Sequence, residues 1–253
     1  MRGWRDFCRC YLSPKLAYRF TRVFFHVLKG LAICAMVFPF IGLARRNRHI
    51  QRWSRQLLRI CGLTVEIAPG APALEHAMIV ANHVSWLDIF VINTLYPSRF
   101  VAKSEIRSWP VLGWLADKAG TVFISRGSRR DLRHIFKGLV HSLEEGERVA
   151  FFPEGTTASQ GQLLPFHANL FEAAIDARVP VQPYALRYVD AHGAPHANVE
   201  FIGEMTFAES MLKILSGSDI RARVECLVPL DTFDTHRREL AEAAHAAILA
   251  RLA

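Results

Sequence analysis

The chain has 253 residues, enough for one sizeable α/β domain plus an appendage. Apolar residues make up 51% of it, which excludes an extensively disordered protein. The net charge of +8 is uneven, because residues 1–60 carry thirteen Lys and Arg against one Asp, whereas the remainder is net −4. A basic region of this kind favours an anionic partner, either nucleic acid or anionic lipid.

A mostly apolar segment covers residues 23–44. It reaches the roughly 20 residues that a membrane-spanning helix needs. However, Lys29 is costly inside a bilayer, and Pro39 would break a helix. Two membrane arrangements stay open: one poorly hydrophobic span, and a pair of helices in one leaflet with a break near Pro39. We favour the pair, and a buried helix of a soluble core is the third alternative.

Residues 47–62 follow as a basic amphipathic helix. Its two faces carry apolar side chains (Ile50, Trp53, Leu57, Leu58, Cys61) and arginines (Arg48, Arg52, Arg55, Arg59). Such a helix beside an apolar segment predicts contact with a membrane surface. Nucleic acid would not explain the apolar half, so we expect no nucleic-acid partner. The sequence thus predicts a membrane-associated helical region over 1–62.

After Cys61, short β-rich runs alternate with helical ones. This alternation predicts an α/β domain over 63–253, with a mixed, mostly parallel sheet flanked by helices. The predicted strands are 63–67, 77–81, 99–102, 121–125, 149–152, 181–188, 199–202 and 222–228. The predicted helices are 86–95, 105–117, 128–145, 168–177 and 234–252, with Ser128 and Asp131 as a capping pair at the start of the third.

One apolar strand ends in Asn82-His83, and Asp88 follows five residues after the histidine. A carboxylate that folds back onto an imidazole fixes its tautomer and stabilises the imidazolium. The second ring nitrogen can then take a proton from a hydroxyl. The spacing is equally compatible with two helix-capping residues. Ser85 stands in no G-x-S-x-G elbow, and no ligand cluster has metal spacing, so we predict neither a serine hydrolase nor a metal or cofactor site.

A second buried strand ends in the turn Phe152-Pro153-Glu154-Gly155-Thr156. Glu154 either satisfies backbone donors within the turn or helps the turn bind the polar head of an acceptor. Two other strands end in Lys103 and Arg126, and two such cations could clamp a phosphate. Each cation alone is typical of a solvated strand end. The Pro-interrupted strand around Pro183 is typical of a sheet edge.

In order and spacing, these segments resemble the lysophosphatidic acid acyltransferase family, also called the glycerolipid acyltransferase family. The family's N-H-x-x-x-x-D motif matches Asn82-His83 with Asp88. Its Arg-ending strand matches Phe123-Ile124-Ser125-Arg126, and its F-P-E-G-T segment matches Phe152 to Thr156. Its V-P-x-x-P segment matches Val179-Pro180-Val181-Gln182-Pro183. The resemblance covers about residues 63–230.

The resemblance implies that His83 is a general base supported by Asp88. The acceptor oxygen then attacks the thioester carbonyl of acyl-carrier protein or acyl-coenzyme A directly, without an acyl-enzyme. It also implies acceptor binding by Asn82, Lys103, Arg126 and the segment Phe152, Pro153, Glu154, Gly155 and Thr156. N-terminal helices would seat the protein in the cytoplasmic face of the cell inner membrane, and no cofactor or metal is implied.

The sequence departs from the family at Thr157 and Ala158, where Arg and Ser usually follow F-P-E-G-T. Loss of that Arg removes a bidentate phosphate donor. An F-P-E-G-T-T segment also resembles bacterial enzymes that acylate lyso-ornithine lipid. Lys103 and Arg126 could still hold a phosphate, so we expect acylation of lysophosphatidic acid to phosphatidic acid, with lyso-ornithine lipid as the alternative acceptor. A non-catalytic membrane protein that binds lipid is the alternative from another class.

Overall fold

Two helices joined by a short turn begin the described part of the chain. The computed structural model describes residues 13–124 and 129–252, and of 129–134 only the backbone. Helix α1 spans Pro14–Met36, a 3₁₀ turn spans Phe38–Phe40 and helix α2 spans Leu43–Ile60. Helix α1 begins where the Ser13 side chain accepts from the Leu16 N–H. The predicted helical pair with a break near Pro39 is present, and its depth in a membrane stays a prediction.

A seven-stranded sheet forms the centre of the molecule. The strands are β1 Leu63–Ile67, β2 Met78–Ala81, β3 Arg99–Lys103, β4 Val122–Ile124, β5 Val149–Phe151, β6 Val181–Val189 and β7 Ile220–Cys226. Their order is β1-β7-β6-β2-β5-β3-β4. The last five are mutually parallel, β7 is antiparallel to β6, and β1 is parallel to β7. The predicted mixed, mostly parallel sheet is confirmed.

Helices cover this sheet and its loops. They are α3 Leu87–Leu95, α4 Leu112–Lys118, α5 Arg129–Glu144, α6 Glu172–Ala177, α7 Phe207–Ser216 and α8 Arg237–Leu252. Further 3₁₀ turns span Ser104–Ser108, Ala168–Phe171 and Ala197–Val199. Ser128 and the side chain of Asp131, the predicted capping pair, lie outside the described part of the structure.

Three sequence predictions about these elements were wrong. The helix predicted over 105–117 is a 3₁₀ turn and the separate α4, because Pro110 interrupts it. The strand predicted over 199–202 does not join the sheet, because Phe201 bonds instead to the loop carbonyl of Val84. The strand with Pro183 is interior, since β6 lies between β7 and β2. Pro183 has no backbone N–H, and it lies beyond Tyr184 and Cys226, the pair at which the regular ladder between β6 and β7 ends.

The N-terminal helices share a core with the sheet. Leu16 and Val23 of α1 and Leu58 of α2 are buried in one cluster with Ile79 of β2 and Tyr184 of β6. On the other sheet face, α5, α6 and α8 bury a second cluster. The helices before residue 62 thus pack directly on elements that follow it. The predicted domain boundary at residue 62 stays a prediction.

Helix α1 is fixed to the rest of the chain at several points. Arg19 donates to the carbonyls of Leu215 and Gly217 at the end of α7. Farther along, Gly30 lets the Trp53 indole approach, and this indole donates to the His26 carbonyl at 3.1 Å. Segment Pro14–Phe40 is nevertheless long and apolar enough to cross a membrane, judged by length and composition alone.

Helix α2 uses its apolar face inside the protein. Leu57, Leu58 and Cys61 are buried in the core, and Trp53 packs beside them. This apolar face is therefore not free to contact a membrane, and membrane contact by the helix stays a prediction. Only the arginine face of α2 is left to meet an anionic surface, and Arg48, Arg52 and Arg59 on it are exposed.

Candidate active site

The candidate site lies at the carboxyl edge of the parallel strands. His83 follows β2, Glu154 follows β5, and Lys103 ends β3. Because β3, β5 and β2 are parallel neighbours, these positions share one edge of the sheet. Arg126, which the sequence also predicts at this edge, lies outside the described residues.

His83 and Asp88 form a hydrogen-bonded pair. The imidazole Nδ1 lies 2.8 Å from Asp88 Oδ2, which makes Nδ1 the protonated nitrogen, since a carboxylate accepts. Nε2 is then an acceptor, and no hydrogen-bond partner for it is found among the described residues. The Asp88 side chain is fully buried, whereas that of His83 is 19% exposed. The imidazole can therefore meet a substrate that the carboxylate cannot.

Four donors hold the Asp88 carboxylate at the start of α3. Besides His83, the backbone N–H groups of Val84 and Ser85 donate to Oδ2 at 2.8 and 2.9 Å. Oδ1 accepts from the Tyr188 hydroxyl at 2.6 Å. Burial, and then the neighbouring Asp88 charge, raises the pKa of Tyr188, so the hydroxyl stays a donor.

Sequence reasoning missed Tyr188. It lies 100 residues from Asp88 in the chain. The one available signal was its position in a predicted strand, five residues after Pro183, the last residue of the matched V-P-x-x-P segment. Such a position does not reveal which side chain of a neighbouring element it meets.

The histidine ring is held in a fixed plane by stacking. Phe152 lies parallel to it, with ring centroids 3.9 Å apart and planes 6° apart. Phe100 stacks behind Phe152 at 6.0 Å. Phe152 thus touches the candidate base directly, and this contact limits rotation of the imidazole about the axis that the Asp88 bond leaves free.

Glu154 connects the two motif loops through their backbones. Its Oε1 accepts from the His83 N–H at 2.7 Å, and Oε2 accepts from the Leu164 N–H at 2.8 Å. The residue is only 4% exposed. Burial raises the pKa of Glu154, and the bonds from Leu164 and His83 oppose this effect. Glu154 thus satisfies backbone donors, as one of the two sequence interpretations has it, but these donors lie outside the turn to which that interpretation assigned them.

The neighbouring predicted residues divide into positioned and exposed side chains. The Asn82 amide is buried and exchanges two hydrogen bonds with the Leu186 backbone, at 2.9 and 2.8 Å. Pro153 is buried, and its carbonyl accepts from His167. Gly155 has φ +70°, a left-handed conformation that favours glycine. Thr156 is exposed, so its hydroxyl is accessible to a ligand.

Thr157 is tied to a third loop. Its hydroxyl donates to the Phe201 carbonyl, while the Phe201 N–H donates to the Val84 carbonyl at 3.1 Å. Phe201 therefore links the loop after β2 to the loop after β5. The side chain that replaces the family's usual Arg is thus committed to the backbone.

These contacts define what the site can do chemically. An accepting Nε2, a buried carboxylate behind Nδ1 and a ring held by stacking suit the removal of a proton from a hydroxyl. Ser85 is fully buried, so it offers no accessible nucleophile. Within the described ranges, no group of three His, Cys, Asp or Glu could hold a metal ion.

Comparison with known proteins agrees with this chemistry. The family model described as Acyltransferase matches residues 62–187. A 1-acyl-sn-glycerol-3-phosphate acyltransferase from Neisseria meningitidis serogroup B is 41% identical over 196 residues, which are 76% of each chain. The chain therefore belongs to the acyltransferase family, and its substrates are an acyl donor and a lysolipid acceptor.

Two further proteins are similar to the chain over most of its length. A lyso-ornithine lipid O-acyltransferase from Pseudomonas aeruginosa is 36% identical over 241 residues, which are 92% of each chain. The crystal structure of the 1-acyl-sn-glycerophosphate acyltransferase PlsC from Thermotoga maritima superposes with a TM-score of 0.70. That match covers 100% of this chain and 96% of the other at 18% identity, and so it shows the shared fold.

Proposed function

We propose that the protein transfers a fatty acyl group from an acyl thioester to the free hydroxyl of a lysophospholipid. Lysophosphatidic acid is the first candidate acceptor, with phosphatidic acid as product. The observation that carries the proposal is the His83–Asp88 pair, in which the buried carboxylate holds Nδ1 and Nε2 is left as an acceptor on a partly exposed imidazole. The acyl group arrives on acyl-carrier protein or coenzyme A.

The proposed reaction is a direct transfer. His83 Nε2 removes the proton of the acceptor hydroxyl, and the oxygen attacks the thioester carbonyl carbon. The new C–O bond forms, the C–S bond breaks, and the imidazolium returns its proton to the departing thiolate. Asp88 stabilises the imidazolium between these steps, as a buried carboxylate does behind other catalytic histidines.

Lyso-ornithine lipid is the second candidate acceptor, and Thr157 favours it. Its hydroxyl is bonded to the Phe201 carbonyl, so the position offers no phosphate donor. Lys103, exposed at the end of β3, is a cation that the structure places at this edge. Arg126, which lies outside the described residues, is the second cation that the sequence predicts for a phosphate. An acceptor without a phosphate would need neither the missing Arg nor these two.

We further propose that α1 lies in one leaflet rather than spanning the bilayer. Its buried face packs on α2, α4 and α7, which places both halves of the helix against the same body. Its outer face is exposed and apolar, with Phe20, Phe24, Phe25 and Leu28 on it and Phe40 beyond its end. The arginines of α2 suit anionic lipid, and the side with acyl thioesters is the cytoplasmic face of the inner membrane.

The decisive experiment supplies purified protein with one labelled acyl chain on either acyl-carrier protein or coenzyme A. Three acceptors are compared: lysophosphatidic acid, another lysophospholipid and lyso-ornithine lipid. We expect product with lysophosphatidic acid, and we expect His83→Ala to lower the rate of acyl transfer by about 10²–10⁴-fold. His192→Ala, in an exposed turn, is the matched control.

Each outcome has a defined meaning. Product only with lyso-ornithine lipid would replace the first acceptor by the second. No thioester consumption with any acceptor would support the non-catalytic lipid-binding alternative. Full activity in His83→Ala would refute the role of His83 while leaving the enzyme assignment intact.

A further inference from the structure

A small cavity lies at the amino edge of the sheet, opposite the candidate active site. Its walls come from the start of α2, the end of α4 and the residues that precede β3 and β5. Arg99 begins β3 and Arg148 precedes β5, whereas His83 and Glu154 follow the carboxyl ends of their strands. The cavity is thus separate from the proposed acyl-transfer site.

Arg148 is a buried cation on the wall of this cavity. Only 5% of the residue is exposed. Its Nη2 donates to the Tyr184 hydroxyl at 2.9 Å, and the guanidinium lies 5.0 Å from the centre of the Tyr96 ring. Its Nε and Nη1 are buried and have no partner among the described residues. A buried charge without a counterion is strongly unfavourable, so the arrangement requires an explanation.

The carboxylate on the cavity wall, Glu147, is paired with another cation. Glu147 binds Arg99 through two hydrogen bonds, at 2.9 and 3.0 Å. Arg46 and Lys118 also line the cavity, which gives four cations against one carboxylate. The amino end of α2 adds to this potential, because Gly42 provides no side-chain cap there and the helix dipole is positive at that end.

We propose that this cavity is an anion site that binds a phosphate group, either of a lipid headgroup or as free phosphate. Its volume of about 70 Å³ exceeds what a single water needs, roughly 10–15 Å³. Phosphate accepts several charge-assisted hydrogen bonds, which suits guanidinium and ammonium donors. Leu43 lines the cavity and Phe40 is 83% exposed close by in sequence, so a headgroup would enter beside the apolar surface of the helical pair.

The test measures thermal unfolding of the full chain in neutral detergent while inorganic phosphate replaces chloride at constant ionic strength. A ligand that binds only the folded state raises the unfolding temperature in a saturable way. We expect this rise in the wild type, its loss in Arg148→Met and a weaker rise in Lys118→Gln. Arg59→Gln removes an equal charge at the far end of α2 and should behave as wild type.

A second arm identifies the source of the phosphate group. We measure the fraction of protein that sediments with phosphatidylglycerol vesicles, and phosphatidylcholine vesicles serve as the uncharged control. If a headgroup binds, this fraction should fall several-fold more in Lys118→Gln than in Arg59→Gln. If both variants sediment equally and inorganic phosphate still raises the unfolding temperature, the site binds free phosphate.

Two results would overturn the proposal. One is the absence of any saturable rise with phosphate together with equal sedimentation of both variants. The other is a rise that stays undiminished in both Arg148→Met and Lys118→Gln, because phosphate would then bind elsewhere. If the buried Arg148→Met variant fails to fold, the exposed Lys118→Gln variant decides.

Discussion

Glu154→Gln separates the two roles that Glu154 could have. The wild-type carboxylate uses one oxygen for the His83 N–H and the other for the Leu164 N–H. A glutamine of the same shape keeps one acceptor oxygen and turns an NH₂ group towards the other N–H. One buried backbone donor therefore loses its partner, which costs about 1–3 kcal/mol.

This loss should appear in catalysis as well as in stability. The His83 backbone or the Leu164 loop must shift to relieve the two facing donors, and a displacement of about 1 Å at a catalytic group costs up to about a hundredfold in rate. We expect kcat to fall about ten- to a hundredfold, equivalent to about 1.4–2.7 kcal/mol. The KM for the acceptor should change little, because no acceptor contact is lost.

The assay is steady-state transfer with varied acceptor, and Glu145→Gln, on an exposed glutamate, is the control. A raised acceptor KM with unchanged kcat would show that Glu154 binds the acceptor directly and would refute the positioning argument. Wild-type kinetics would show that the two backbone bonds are dispensable.

The same variant has a pH signature. Because burial raises the pKa of Glu154, the folded protein binds this proton more tightly than the unfolded chain. The free energy of unfolding therefore contains a component that falls as pH rises from the ordinary pKa of Glu to the raised one. Denaturant unfolding across this window should show the component in the wild type and not in Glu154→Gln; an identical slope in both would contradict the assignment.

Two further predictions test the surroundings of the site and the helical pair. Tyr188→Phe removes the hydroxyl that donates to Asp88 Oδ1, and it should lower the free energy of unfolding by about 1–3 kcal/mol in denaturant titrations; an unchanged value would mean that Asp88 is satisfied without it. Gly30→Ala places a Cβ 2.8 Å from the Trp53 indole nitrogen and should destabilise by about 1–3 kcal/mol. Gly138→Ala in α5 meets nothing within 4 Å and should stabilise by up to about 1 kcal/mol, so equal effects of the two would refute the packing argument.

The sequence predicted the sheet well because its strands are short apolar runs between turns. β1 matches the predicted range 63–67, and β2, β3, β5, β6 and β7 differ from theirs by one or two residues at either end. Buried parallel strands carry continuous apolar runs that are easy to recognise. The helix α7 was missed although Thr206 and Glu209 form a capping box, a signal that is visible in the sequence.

Other features could not be predicted because they depend on distant contacts. The segment around Phe201 has the composition of a strand, yet its N–H and carbonyl serve Val84 and Thr157. The proximity of His83 and Asp88 was suggested by spacing, whereas the stacking of Phe152 on the imidazole was not. Periodicity reports which face of an element is buried, and it does not report which loops meet.

The hydrogen bonds from Arg19 to the end of α7 have a consequence for the proposed contact between the enzyme and a bilayer. They fasten the first half of α1 to the body of the protein, and the Gly30–Trp53 contact fastens the middle. The apolar outer face of α1 and the imidazole of His83 therefore belong to one rigid unit. Under the proposed one-leaflet arrangement, this packing would set the height of the base above the lipid surface, and it would favour a lysolipid whose hydroxyl reaches that height.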